Sequence, residues 1–287
     1  MRYSPTHYIV QLQLEFDPKH NGGRLPIDID LLLRGYANGV FPMADTRDDA
    51  NAYWVEPKQR AILPLAGFRV SQSLAKTIRQ DRFRVTANTA FAQVIDTCAS
   101  VAPDRDETWI NADIEAAFRA LHTKGLAHSV ECWREGKLVG GLYGLAMGRA
   151  FFGESMFSRV TDASKVALAW LVARMKIGGF ELLDCQFMTD HLASLGAIEI
   201  SQAAYLKLVK QALHVDDQVS IVASPSPSGA SAGSSAGAAA GATSAFGFAG
   251  DWGALDGFLS SSAGAANSPA VGSSPGKLIL QALTQTS

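Results

Sequence analysis

The segment that most constrains the fold spans residues 128–157 and reads HSVECWREGKLVGGLYGLAMGRAFFGESMF. Three stretches of strand length are separated by turn signals at Glu135-Gly136 and at Gly148-Arg149. An apolar stretch of helical length, DASKVALAWLVARMKIGGF, follows, with Asp162 as the expected N-cap and Gly178-Gly179 at its end. This order predicts an antiparallel meander that packs against one long helix.

The neighbouring segments extend this pattern to an α+β fold. Upstream are helical segments and a strand-like run broken at Pro57 and Pro64, and downstream ELLDCQF predicts a short central strand followed by helices. The order β-β-β-α-β-α is that of the N-acetyltransferase fold, although a fold alone does not fix the chemistry. We expect a small N-terminal α/β domain over residues 1–65 and an acetyltransferase-like (GNAT) domain over residues 66–215. Its central sheet should be mainly antiparallel.

The C-terminal section differs in composition. Gly, Ser and Ala dominate after Ser224, and we predict a disordered tail over residues 216–287 because such a sequence buries few large side chains. Residues 246–259, FGFAGDWGALDGFL, form an apolar exception. They are either a partner-binding segment or drift within a low-complexity tail.

The composition bounds the compartment and the partners. No run of about 18 apolar residues is present, and the N-terminus has no secretory pattern. We therefore expect a cytoplasmic monomer that has no membrane partner. The formal net charge is −2, so any contact with nucleic acid must come from a local basic patch.

Several motifs together carry a family resemblance: GYANGVFPM, YWVEP, TWI, HSVECW, LVGGLYG, FFGESMFSR, DASKVAL, DCQF and HLASLGA. Between Leu31 and Tyr205 the chain resembles the leucyl/phenylalanyl-tRNA–protein transferases. N-acetyltransferases usually hold coenzyme A on a Gly-rich turn at a helix N-terminus. The matching turn here, SRVTDAS, has no glycine, which also suggests another acyl carrier.

The resemblance implies an enzyme that takes Leu or Phe, and less readily Met, from Leu-tRNA or Phe-tRNA. It joins that residue to the α-amino group of proteins with N-terminal Arg or Lys and marks them for degradation by the N-degron pathway. It implies no cofactor and no metal. Two alternatives remain at this stage: an acetyl-CoA-dependent N-acetyltransferase on the same fold, and a non-catalytic RNA-binding module.

The candidate catalytic residues are Asp184 and Gln186, which the resemblance marks and which lie two apart on one predicted strand. An aminoacyl ester is already activated, so the protein must mainly align a neutral amine. We expect Gln186 to accept a hydrogen bond from the amine while Asp184 orients the Gln186 amide and supplies a negative field. The alternative is that Asp184 caps the helix near His191 and that Gln186 is structural.

Glu154 is a candidate for binding the cationic N-terminus of the substrate protein, since a carboxylate in apolar surroundings needs a cation or donors. Strand alternation predicts Phe152, Glu154 and Met156 on one face of the strand and Phe151 on the other. The alternative for Glu154 is an internal ion pair with Arg159 or Arg149.

Further candidates concern the two substrates. For the apolar donor side chain we expect a pocket of four residues, although each is also an ordinary core residue: Met147, Phe151, Met156 and Leu168. Trp54 and Trp109 are expected to stack on the terminal adenosine of the tRNA or else to pack between domains. Residues 69–84 hold five basic residues and one acidic residue, an excess of +4. Either they are a solvated face or they contact tRNA phosphates through four candidates: Lys76, Arg79, Arg82 and Arg84.

Overall fold

The structure is a computed structural model that describes residues 27–100, 107–213, 250–264 and 274–285. Its helices in these ranges are α1 Ile29–Ala37, α2 Gln72–Arg79, α3 Phe91–Cys98, α4 Ala112–Thr123, α5 Ala163–Ile177, α6 Asp190–Ser194, α7 Gln202–Leu213, α8 Ala254–Gly264 and α9 Pro275–Thr284. Its strands are β1 Phe41–Met43, β2 Tyr53–Val55, β3 Gln59–Ile62, β4 Arg84–Ala87, β5 Ala127–Arg134, β6 Lys137–Met147, β7 Ala150–Ser158, β8 Leu182–Gln186 and β9 Ile198–Ser201.

Seven strands form one mixed sheet in the order β4-β5-β6-β7-β8-β3-β9. Every neighbouring pair is antiparallel except β7 and β8, so the predicted α+β class and the β5-β6-β7 meander are confirmed. Strand β3 lies within the predicted N-terminal domain, yet it is hydrogen-bonded to β8 and β9 of the large sheet. The strands β1 and β2 form a separate antiparallel pair.

Each face of the sheet packs against its own layer of helices. Residues of α1, α3, α4 and α7 share a core with one face, and α2, α5, α8 and α9 share a core with the other. Twelve of the 15 residues of α5 are buried, because this helix lies between the sheet and other helices. Asp162 occupies the N-cap position of α5, but its side chain makes no capping hydrogen bond. No helix in the described ranges has the length and apolar character needed to cross a membrane.

The parallel strands β7 and β8 part soon after they meet. They pair only over residues 150–152 and 182–184, whereas β7 continues to Ser158. Glu154 is the extra residue of a β-bulge opposite Tyr143 and Gly144. Because a bulge shifts the alternation of a strand by one residue, the predicted faces are wrong beyond it: Met156 joins the core that contains Phe151, on the face opposite to Phe152.

The prediction of disorder is wrong for two segments of the tail. Residues 250–264 and 274–285 contain α8 and α9, which pack against α5, and α9 also packs against α2. Leu255 and Ile279 are fully buried there. The guanidinium of Arg174 donates two hydrogen bonds of 2.7 Å to the Asp256 carboxylate. The Trp252 ring stacks on the His128 ring, and their centroids are 4.2 Å apart. The rest of the predicted tail lies outside the described residues.

Candidate active site

Asp184 on β8 is fully buried and forms a two-point ion pair with Arg60 on β3. Arg60 Nε donates to Oδ1 at 2.9 Å and Nη2 donates to Oδ2 at 2.6 Å. The Tyr205 hydroxyl donates to Oδ2 at 2.9 Å, and the guanidinium lies 4.5 Å from the ring centroids of Phe41 and Tyr205. Burial alone would lower the pKa of Arg60. The neighbouring Asp184 carboxylate has the opposite effect, and the pKa of Arg60 lies above its usual range. The Asp184 charge is therefore compensated inside the protein.

Glu154 presents a carboxyl group at the gap between β7 and β8. Its Oε1 accepts from the Tyr36 hydroxyl at 2.8 Å and from Gln186 Nε2 at 3.0 Å. Its Oε2 is buried and has no hydrogen-bond partner in the part of the chain that the structure describes. Burial raises the pKa of Glu154 to about 8, although the bonds from Tyr36 and Gln186 lower it. The buried Oε2 can therefore take a further partner, and a cation there would favour the ionised form.

Gln186 bridges the two parting strands. It ends β8 with a φ of 62°, a left-handed conformation that is uncommon for a residue with a side chain. Its backbone N–H donates to Asp184 Oδ1 at 2.8 Å, which helps to hold this backbone in place. Within the described residues its side-chain Oε1 accepts no hydrogen bond. The Gln186 amide therefore keeps an acceptor without a partner among the described residues, and its NH₂ group is bonded to Glu154.

The structure excludes Asp184 as a helix cap and an ion pair of Glu154 with Arg149 or Arg159. Helix α6, which contains His191, is capped by Thr189 and not by Asp184. Glu154 pairs with neither candidate cation, since Arg149 forms an ion pair with Glu181 and Arg159 lies over the Phe157 ring.

The sequence comparisons give the family. The model of the leucyl/phenylalanyl-tRNA protein transferase family matches residues 62–210, and the model of its N-terminal domain matches residues 26–58. The chain belongs to the leucyl/phenylalanyl-tRNA protein transferase family.

Three relatives named leucyl/phenylalanyl-tRNA–protein transferase align with most of this chain. The protein from Rhizorhabdus wittichii is 66% identical over 189 residues, which cover 66% of this chain and 76% of the relative. That from Zymomonas mobilis is 62% identical over 187 residues, or 65% of this chain and 70% of the relative. That from Novosphingobium aromaticivorans is 52% identical over 258 residues, or 90% of this chain and 96% of the relative.

The leucyl/phenylalanyl-tRNA protein transferase motifs contain polar residues of this site that sequence reasoning did not select. Tyr36 lies in GYANGVFPM and Arg60 follows YWVEP, while Tyr205 marks the end of the resemblance. Each makes a buried hydrogen bond to Glu154 or Asp184. The motifs were the available signal, but the spacing between them gave no indication of which side chains pair.

The predicted donor pocket is not assembled as a set. Met147 packs in the core on one face of the sheet, whereas Phe151, Met156 and Leu168 pack in the core on the other. Phe151 is fully buried and stacks on Trp252, with the ring centroids 5.4 Å apart. Met156 is only partly buried, so among the four it is the one most accessible to a substrate.

The predicted tRNA contacts lie in two places. Trp54 and Trp109 pack against one core, and the Trp54 ring covers Gly35, where a Cβ would lie 2.4 Å from the ring. The four candidates for phosphate contact are all exposed, on α2 or just after it: Lys76, Arg79, Arg82 and Arg84. The Arg84 guanidinium lies 5.2 Å from the centroid of the Trp133 ring. The roles of these residues in binding tRNA stay predictions.

A cavity of about 420 Å³ lies elsewhere, between the edge strand β4, α5 and the helices α8 and α9. Phe83, Trp170 and Leu259 contribute to its walls. None of its lining residues belongs to the Asp184, Gln186 and Glu154 group. We therefore place the candidate active site at the gap between β7 and β8 and not in this cavity.

Proposed function

We propose that this protein transfers leucine or phenylalanine, and less readily methionine, from aminoacyl-tRNA to the α-amino group of proteins with N-terminal Arg or Lys. The acceptor is thereby marked for degradation by the N-degron pathway. The proposal includes a cytoplasmic monomer that needs no cofactor. Membership of the transferase family supports the reaction class.

One observation supports this chemistry. Where β7 and β8 separate, one Glu154 carboxyl oxygen accepts from the Gln186 amide, and the other is buried without a hydrogen-bond partner among the described residues. A protein with N-terminal Arg or Lys brings a cationic side chain and an α-amine to the same place. Glu154 Oε2 can bind the cation, and ionisation of Glu154 is favoured once an opposite charge lies within about 4–6 Å. Gln186 Oε1 can accept a hydrogen bond from the amine.

The reaction itself is the aminolysis of an ester. The amine nitrogen forms a bond to the aminoacyl carbonyl carbon, the bond from that carbon to the ribose oxygen breaks, and the amine proton ends on the released tRNA hydroxyl. Because the ester is already activated, alignment of the amine is the main contribution expected of the protein. Asp184 acts here through the Gln186 backbone, since Arg60 compensates its charge.

The direct test is the transfer of labelled Phe from Phe-tRNA to a peptide that begins with Arg. Wild-type protein should form the labelled peptide, and Gln186→Ala should slow the transfer by about 100-fold, the order expected when a reacting group loses its alignment. Gln93→Ala, which changes an exposed glutamine on α3, is the matched control and should transfer at the wild-type rate.

Two results would contradict the proposal. Wild-type protein that transfers no Phe but acetylates the peptide from acetyl-CoA would support the N-acetyltransferase alternative. Binding of Phe-tRNA without any transfer would support a non-catalytic RNA-binding module. A Gln186→Ala variant as active as Gln93→Ala would remove Gln186 from the mechanism while leaving the reaction class in place.

A further inference from the structure

The basic surface around α2, residues 69–84, contains one acidic residue. The docked C-terminal segment, residues 250–264 and 274–285, is hydrogen-bonded to that residue. Between residues 69 and 84, Asp81 is the only carboxylate among five cations. Its Oδ1 accepts the backbone N–H of Gly276 at 2.7 Å, in the first turn of α9. The N-terminal end of a helix carries partial positive charge, so this contact offsets the Asp81 charge.

The contact is closely packed. A Cβ at Gly276 would lie 1.9 Å from the Ile78 carbonyl oxygen, so glycine permits this approach of α9 to the end of α2. The Ser274 side chain, which occupies the N-cap position of α9, makes no capping hydrogen bond. Asp81 takes over the role that an N-cap side chain usually has. Helix α9 is therefore fixed at the acidic residue of the basic surface.

The docked segment also adds a cation to this surface. Lys277 follows Gly276 directly, is exposed, and takes part in no ion pair among the described residues. The two acidic residues of the docked segment have other partners, because Asp256 pairs with Arg174 and Asp251 accepts the Gly253 N–H. Lys277 thus lies on a helix that packs against α2, the helix that contains Lys76 and Arg79, and no acidic residue of its own segment pairs with it among the described residues.

We propose that the docked C-terminal segment, residues 250–264 and 274–285, is part of the tRNA-binding surface and that Lys277 contacts the phosphate backbone. The inference rests on the proposed function, which supplies tRNA as the polyanion. It gives a role to a segment that lies outside the matched family region, residues 26–58 and 62–210. A phosphate contact of this kind adds affinity without reading the sequence of the RNA.

The salt dependence of binding tests the inference. Phe-tRNA binding should be measured from about 50 to 200 mM salt for wild type, Lys277→Ala and Lys277→Arg. Loss of one phosphate contact should lower the slope of log K against log salt by about 1, and Lys277→Arg should restore it. Lys207→Ala on α7, an exposed lysine on the other face of the sheet, is the control and should keep the wild-type slope.

The outcomes separate the two proposals. If wild type transfers Phe but Lys277→Ala keeps the full salt slope, the role of Lys277 is wrong and the proposed function stands. If wild type neither binds Phe-tRNA nor transfers Phe, the proposed function is contradicted, and the role of Lys277 is contradicted with it. Equal thermal unfolding of Lys277→Ala and wild type will show that a changed slope does not come from loss of the docked segment.

Discussion

At the scale of single residues, two buried carboxyl groups on neighbouring strands have opposite environments. Asp184 is matched by Arg60 and Tyr205, so its oxygens are satisfied within the protein. Glu154 has two donors on one oxygen and none on the other among the described residues. This difference indicates that Asp184 stabilises the site internally, and it supports the proposal that Glu154 binds the substrate.

The raised pKa of Glu154 predicts a pH-dependent stability. Its pKa is about 8 in the folded protein against an ordinary value of 4.5. The folded state therefore holds a proton that the unfolded chain releases, and this contribution to stability is complete below pH 4.5 and is lost as the pH rises through 8. Glu154→Gln removes this dependence.

Urea unfolding of both proteins from pH 4.5 to 9 measures the effect. The free energy of unfolding of Glu154→Gln minus that of wild type should rise with pH by about 3–5 kcal/mol in total and level off above pH 8. The difference isolates Glu154 from other groups such as His128, whose pKa burial lowers to about 4. A difference that stays constant across this range would mean that Glu154 is not protonated in the folded protein.

Sequence reasoning reached part of the site at this scale. The family motifs led to Asp184, Gln186 and Glu154, and the structure brings all three together. The partners of the two carboxylates were missed, because Arg60 lies 124 residues from Asp184 and Tyr36 lies 118 residues from Glu154. Periodicity and spacing report only local neighbours, so pairs of this separation become visible only in the folded chain.

At the scale of elements, α5 shows how local sequence and tertiary contact combine. Its apolar run and its terminal glycines predicted the helix, which ends at Ile177 as expected. Helix α8 was missed because its Gly, Ser and Ala content gives a weak local signal. The short apolar run of α9 was missed because the tail that precedes it is rich in the same residues. Contacts with α5 and α2 stabilise them, through Leu255, Ile279 and the ion pair of Asp256 with Arg174.

We predict that α9 contributes to the stability of the folded domain and is not an independent appendage. Ile279→Asp places a charge at a fully buried position and should lower the free energy of unfolding by about 2–4 kcal/mol. Gln281→Asp changes an exposed residue of the same helix and should change it by less than about 0.5 kcal/mol.

Chemical denaturation of the two variants, together with hydrogen exchange of α5, provides the measurement. Ile279→Asp should unfold at lower denaturant and exchange faster along α5, because this helix loses the cover of α9. If Ile279→Asp matches Gln281→Asp in both readouts, α9 does not stabilise the domain.

At the scale of the whole molecule, the sheet order creates the site. The insertion of β3 between β8 and β9 brings Arg60 to Asp184, and the short pairing of β7 with β8 leaves the gap where Glu154 meets Gln186. The meander was predictable because its contacts are local. The position of β3 was not, because it depends on pairing with strands more than 100 residues later in the chain.

The central claim is that Glu154 binds the cationic N-terminus of the acceptor protein. Its most direct test is the steady-state transfer of Phe by Glu154→Gln to two peptides that differ only in an N-terminal Arg or a neutral residue of similar length, norleucine. The isosteric change keeps the shape of the site but removes the negative charge. We predict that the preference for the Arg peptide falls at least about 10-fold while the KM for Phe-tRNA stays within about twofold, since losing one partner of a buried charge pair typically costs about 2–5 kcal/mol. An unchanged preference, or an equal loss for Phe-tRNA and the Arg peptide, would contradict the account.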